Sequence, residues 1–178
     1  MVRSARSNID WEGTATMRNN ILAGVVAGLV AGVVFGIMMQ MMSAPTPDGR
    51  MVPMMLMVAQ VVRSDSLAVG WLYHLFNSAV IGGIFGWILG SRTAGRPGAS
   101  AGWGIVYGFA WWILGGLILM PVFLGMPAFA PLKMAPMRPV AMGSLMGHLI
   151  FGLILGILFG WLRGRAIDRH LAAARPAP

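Results

Sequence analysis

Polar, charge-bearing stretches alternate along this chain with long apolar ones. Four runs, 21–42, 69–90, 103–125 and 141–162, contain no Lys, Arg, Asp or Glu. Each approximates the roughly 20 residues a helix needs to cross a hydrocarbon core about 30 Å thick. Lipid-exposed chain must satisfy its own backbone groups, and the period-two alternation of barrel strands is absent, so each run reads as a helix. The pattern predicts an all-α membrane protein with four transmembrane helices. The membrane domain spans 20–164, between an N-terminal tail (1–19) and a basic tail (165–178). The first run exceeds a signal h-region of about 7–15 residues and no small-x-small site follows it, so it reads as a permanent span.

The runs are not independent of one another. "HLFNSAVIGGIFGWILG" (74–90) returns as "HLIFGLILGILFGWLRG" (148–164), sharing His74/His148, Leu75/Leu149, Gly82/Gly156, Phe85/Phe159, Gly86/Gly160, Trp87/Trp161 and Gly90/Gly164. Runs one and three overlay at an offset of 80, through Gly24/Gly104, Val26/Val106, Gly28/Gly108 and Gly36/Gly116. The order A-B-A′-B′ predicts a tandem repeat of two like-oriented helical hairpins, about 20–90 and 103–164, related by a pseudo-two-fold along the membrane normal. The Gly-, Ser- and Pro-containing stretch 91–102 is then the hinge.

Small residues recur every fourth position: Gly24, Gly28, Gly32 and Gly36 in the first run; Ser78, Gly82, Gly86 and Gly90 in the second; Gly152, Gly156, Gly160 and Gly164 in the fourth. In lipid no hydrophobic force draws apolar helices together, and such rows let backbones approach closely. Drifting about 40° per step, they favour a right-handed crossing. Close packing outweighs the alternative of glycines lining a pore. The same faces suit a homo-oligomer or an accessory subunit of a membrane complex.

The longer connections carry their own signals. Residues 51–66, "MVPMMLMVAQVVRSDS", are too short to span and apolar enough to lie in the interface or dip in as a re-entrant helix; Asp65 or Ser66 is placed to cap the next helix, with Ser64 competing. Four prolines in "MPAFAPLKMAPMRPVA" predict an extended, rigid segment. Trp87, Trp103, Tyr107 and Trp161 at one end of the spans, and Trp71 and Tyr73 at the other, match interfacial aromatic belts. Trp111 and Trp112 fall nearer mid-span, where a ring packs between helices.

Composition sharpens this picture. Charged residues make up 10% of the chain, against about 25% in soluble domains. A net charge of +8 would point to nucleic acid in a soluble protein. Here its placement follows the positive-inside rule and implies no nucleic-acid partner. Nine basic residues (Arg3, Arg6, Arg18, Arg92, Arg96, Arg163, Arg165, Arg169, Arg175) lie on one side, against Arg50, Arg63, Lys133 and Arg138 on the other. Both termini are therefore expected in the cytoplasm. The absence of cysteine excludes disulfides, thiolate metal sites and cysteine nucleophiles.

The spans hold little chemistry. No acid lies inside them, which argues against carboxylate-based proton coupling and aspartyl intramembrane proteolysis. Ser144 and His148 share a helical face, but no acid orients the histidine and no nucleophile motif surrounds the serine, so no enzyme is expected. Asn77 and Gln40 are expected to make interhelical hydrogen bonds.

That leaves His74 and His148, at one depth, each heading a small-residue row. Fourteen of the sixteen methionines fall toward the same side. The plainest reading is imidazole hydrogen-bonding across helix contacts, with methionine as flexible filler. The second is a shared metal site, two imidazoles with Met120 or Met146 around Cu(I); bis-histidine haem is a variant of it. The third is proton sensing by imidazoles of ordinary pKa about 6.5.

At Pro121, Gly125 and Pro127, followed by "GHLIFGLILGILFGWLRGR" with Gly147-His148-Leu149 opening the fourth span, the chain resembles the YagU-type family of small bacterial inner-membrane proteins. The likeness runs over all four spans, although the methionine content and compact outer loops depart from it. The resemblance implies an inner-membrane location and a link to acid tolerance, and brings no catalytic residues. The sequence thus leads to a non-enzymatic membrane protein with a structural, stress-related or accessory role. The alternatives are a copper- or haem-binding membrane protein using His74 and His148, and a small-solute transporter or channel working through the cleft between the repeats.

Overall fold

The computed structural model describes residues 2–45 and 50–173, with side chains from 13 onward except His170. Four of its helical segments are long and apolar enough to cross a membrane: Gly13–Met41, Leu67–Thr93, Pro97–Phe123 and Ala135–Ala173. Helix α1 (Val2–Met41) carries the first and runs back through the expected tail. After it, strands β1 (Ser43–Pro45) and β2 (Met51–Pro53) pair antiparallel, with Ala44 opposite Val52. Helices α2 (Met54–Val61) and α3 (Leu67–Thr93) follow. The connection 91–102 shrinks to a few residues around Gly95, whose φ of 73° ends α3 in the left-handed conformation that glycine adopts without a Cβ penalty. Arg175 and the side chains of Arg3 and Arg6, counted in the basic asymmetry, lie outside the described residues.

The third span is not a uniform helix. Helix α4 (Pro97–Trp111) widens into a π-helix, Trp112–Leu119, before α5 (Met120–Phe123). Pro121 gives the physical reason. Its ring presses on the carbonyl four residues back and it has no N–H to offer. The π turns make room, and the Leu117 carbonyl accepts the Phe129 N–H instead, at 2.7 Å.

Residues 51–66 hold a short helix and no span: α2 folds onto α3 with Met54, Met55, Met57, Val58 and Ala59 buried, and Gly70 lets the Met55 carbonyl approach. Ser66 stands at the N-cap of α3 but makes no side-chain cap bond; its own N–H donates to Ser64 Oγ. Contrary to expectation, the proline segment is not extended. It forms α6 (Ala130–Lys133) and a 3-10 turn (Ala135–Met137), then enters α7 (Arg138–Ala173). Pro131, Pro136 and Pro139 sit in the first turn of these pieces, where a helix needs no N–H, and Pro127 precedes α6.

Helix α1 packs along α3 and α4 along α7, and α1 also lies against α7. Both seams are backbone against backbone. A Cβ added at Gly28 would meet the Ser78 carbonyl and Gly82 Cα; one added at Gly104 would meet the Gly152 carbonyl and Gly156 Cα. Likewise Gly86 abuts the Asn20 carbonyl, and Gly160 abuts Pro97. Gly104 meets Gly152 as Gly28 meets Ser78, so like contacts lie 76 residues apart on α1 and α4 and 74 apart on α3 and α7, where the sequence overlay of the first and third runs set 80. With glycine at every fourth position, slipping by one turn again lays glycine on glycine, so the overlay could not tell the two registers apart.

One layer differs between the seams. Gly36 on α1 receives the Trp71 ring from α3. At the matching layer the bulk comes from the other partner: Trp112, buried, packs with Leu145 nearby and donates its indole N–H to the Ala141 carbonyl at 3.1 Å. Between the seams, the fully buried Phe85 and Phe159 meet with ring centroids 5.5 Å apart. Tyr107 lies edge-on to Phe85 and donates its hydroxyl to the Ile81 carbonyl at 2.7 Å. Tyr107 and Trp71 are thus half-buried against the core, whereas Trp87, Trp103 and Trp161 stand exposed on the outside.

Candidate functional site

Both histidines stand at one end of the bundle, on α3 and α7, and their surroundings differ. His74 is buried against α1, with Nε2 2.8 Å from the Gly32 carbonyl oxygen. A carbonyl only accepts, so the proton is on Nε2. The Ser78 hydroxyl donates to the His74 carbonyl at 2.8 Å. His148 bonds within its own helix: Nδ1 lies 2.8 Å from the Ser144 carbonyl oxygen and 3.4 Å from Ser144 Oγ. The same argument puts its proton on Nδ1 and leaves the Nε2 lone pair free in the neutral ring. This is the wrong tautomer to take a proton from Ser144 through Nδ1, so the pair has no hydrolase geometry.

Phe35 of α1 stands between the imidazoles, edge-on to both, its centroid 5.6 Å from His74 and 4.8 Å from His148. It fits there because Gly147 on α7 has no side chain; a Cβ would run into the Phe35 ring. A macrocycle ligated from both sides would need the space Phe35 fills, so bis-histidine haem does not fit. A shared metal would have to break the His74–Gly32 bond to use Nε2. Met146 is not there to complete a shell: it is 56% exposed on the outside. Among the described residues no three His, Asp or Glu side chains gather. Of the proposed ligands, His74, His148 and Met120 come together, and Met39 and Met54 join them.

These five residues line a cavity of about 250 Å³. Its walls are α3, through Tyr73, Asn77 and Ile81, and the third span, through Trp111, Gly115 and Leu119; α2 roofs it with Met54 and Val58. The π-helix places both Gly115 and Gly116 in the wall, and local π geometry is frequent at functional sites. Most of the lining is apolar. Asn77, expected to bond across helices, instead lines the cavity and makes no hydrogen bond among the described residues. Gln40 likewise leaves a buried Oε1 without a partner.

The glycine rows fall where close approach requires them. Gly24, Gly28, Gly82 and Gly86 form one seam, and Gly152 and Gly156 face Gly104, Gly108 and Ser100 in the other. Gly32 meets the Ser78 side chain, Gly36 meets Trp71 and Gly160 meets Pro97. Sequence reading missed Phe35, Gly147 and the cavity role of Asn77. Only Gly147 left a trace, in the Gly-His-Leu motif. Comparison with protein-family models, curated proteins and solved structures finds no match to this chain.

Proposed function

We infer that the protein is a non-catalytic, multi-pass accessory protein of the bacterial inner membrane, built from two like-oriented hairpins with both termini in the cytoplasm. The observation that carries this reading is the pair of glycine seams, in which backbone meets backbone along α1/α3 and α4/α7. The two hairpins also meet through the α1/α7 contact and the buried Phe85–Phe159 pair, a packed interface that favours a rigid scaffold over halves that slide past each other, as alternating access requires. Phe85 packing on Phe159, its counterpart in the other hairpin, supports the two-fold relation between the hairpins. The nine-to-four distribution of basic residues supports the orientation. The location and a role in acid stress are what the resemblance of the sequence to YagU-type proteins would imply.

The test combines topology and flux. Single cysteines at 95, 135 and 172 in intact cells should react with an impermeant thiol reagent at 135 alone; labelling at 95 or 172 would invert the orientation. Purified protein in proteoliposomes should pass no ion, acid or small osmolyte above empty vesicles. Saturable, selective flux of any one of them would replace the scaffold reading with a carrier.

A further inference from the structure

We propose that the cavity beside His148 is a binding site for a lipid-soluble hydroxylated aromatic ring, of the phenol or quinol class, whose hydroxyl donates to His148 Nε2. This rests on the reading of the bundle as a non-catalytic membrane protein.

Route, size and chemistry agree. Val80 and Phe123 line the cavity and are also 44% and 55% exposed on the outer surface of the bundle. The cavity therefore opens between α3 and the third span, toward the bilayer. A dry cavity of about 150 Å³ holds one benzene ring, so about 250 Å³ suits two fused rings or one substituted ring. Phe35, Tyr73, Trp111, Phe123 and Phe151 supply aromatic walls, which favour an aromatic guest in edge and offset contacts.

Two polar groups face this apolar space unspent. With its proton on Nδ1, His148 offers a bare Nε2. Gly116 leaves that side of the ring uncovered: an added Cβ would come into contact with His148 Cε1, at 3.6 Å. Asn77 presents an unbonded amide from α3. A polar group at this depth without a partner is costly. A ring that carries oxygen satisfies both, donating to His148 and accepting from Asn77, which a plain hydrocarbon or an acyl chain cannot do.

The experiment uses the full chain in nanodiscs, with 2-naphthol and naphthalene as probes and empty nanodiscs subtracted in equilibrium dialysis. We expect saturable binding of one 2-naphthol per chain and roughly five- to hundredfold weaker binding of naphthalene, the span of two hydrogen bonds. His148→Phe should weaken 2-naphthol roughly three- to tenfold, toward the naphthalene level, and leave naphthalene unchanged. Gly115→Leu should abolish binding of both probes without loss of fold, because a side chain there grows into open space: the nearest atom to an added Cβ is Trp111 Cε3 at 3.9 Å. Equal affinity for the two probes in the parent chain overturns the hydroxyl assignment, whether or not His148→Phe folds. Binding that survives Gly115→Leu, or no saturable binding above empty nanodiscs, overturns the site. None of these outcomes changes the topology result, so the two readings fail separately.

Discussion

Replace Gly82 by alanine and the new methyl points at the Gly24 carbonyl and lies 2.8 Å from Gly28 Cα, where ordinary contact begins at 3.4 Å. Both obstacles are backbone, so no rotamer relieves them and the α1/α3 seam must open by about an ångström. A gap of about 0.5–1 Å forfeits roughly a quarter to a half of each contact's dispersion energy, and overpacking of this kind typically costs about 1–3 kcal/mol. Against that stands the helix-propensity gain of Gly→Ala, about 1 kcal/mol at most. We expect a net loss of about 1–2 kcal/mol for Gly82→Ala. The matching position on the other seam, Gly156, whose Cβ would meet the Ser100 carbonyl, should lose a similar amount. The control is Gly102→Ala on α4, where an added Cβ meets nothing within 4 Å; it should be neutral or stabilising. Reversible unfolding in mixed micelles with rising SDS fraction, followed by far-ultraviolet circular dichroism, measures all three. If Gly82→Ala and Gly102→Ala unfold at the same SDS fraction, the seam is not held by backbone contact and the reasoning is wrong.

Two further outcomes follow from the interior. Phe85→Ala and Phe159→Ala should each destabilise by about 3–5 kcal/mol. Because the rings touch, the double mutant should lose less than the sum, a coupling that the same titration detects as a non-zero double-mutant cycle. Tyr107→Phe removes the hydroxyl bonded to Ile81 and should cost about 1 kcal/mol; a change indistinguishable from zero would mean the Ile81 carbonyl finds another donor.

The spans were legible because lipid imposes one demand that composition cannot hide, an unbroken run of about 20 uncharged residues. The glycine seams were legible for a related reason: side chains missing at every fourth position have few other uses in lipid. Register was not, because the same periodicity makes a slip of one turn invisible; only the contact of Gly28 with Ser78 and of Gly104 with Gly152 decides it. The cavity could not be read at all. It arises from what is absent at Gly115 and Gly116 and from a π stretch that depends on Pro121. Which ring nitrogen of His74 and of His148 is left free is set by a carbonyl 42 residues away in one case and four residues away in the other. The proline loop misled because prolines in a first helical turn and prolines in an extended segment look alike in sequence.

The reversed tryptophan layer bears on how the helices choose partners as the bundle assembles. All four helices present small-residue rows, so the rows by themselves discriminate poorly between right and wrong neighbours. In the native pairing each seam holds one indole, Trp71 set over Gly36 and Trp112 beside Leu145. Exchange α3 for α7 and one seam would have to hold both indoles while the other held neither. The first is overfilled and the second is left with a void, and each is penalised in a close-packed interior. The chain thus carries a sorting rule at a single layer, which makes mis-threaded bundles less stable than the native one even where their glycines still mesh.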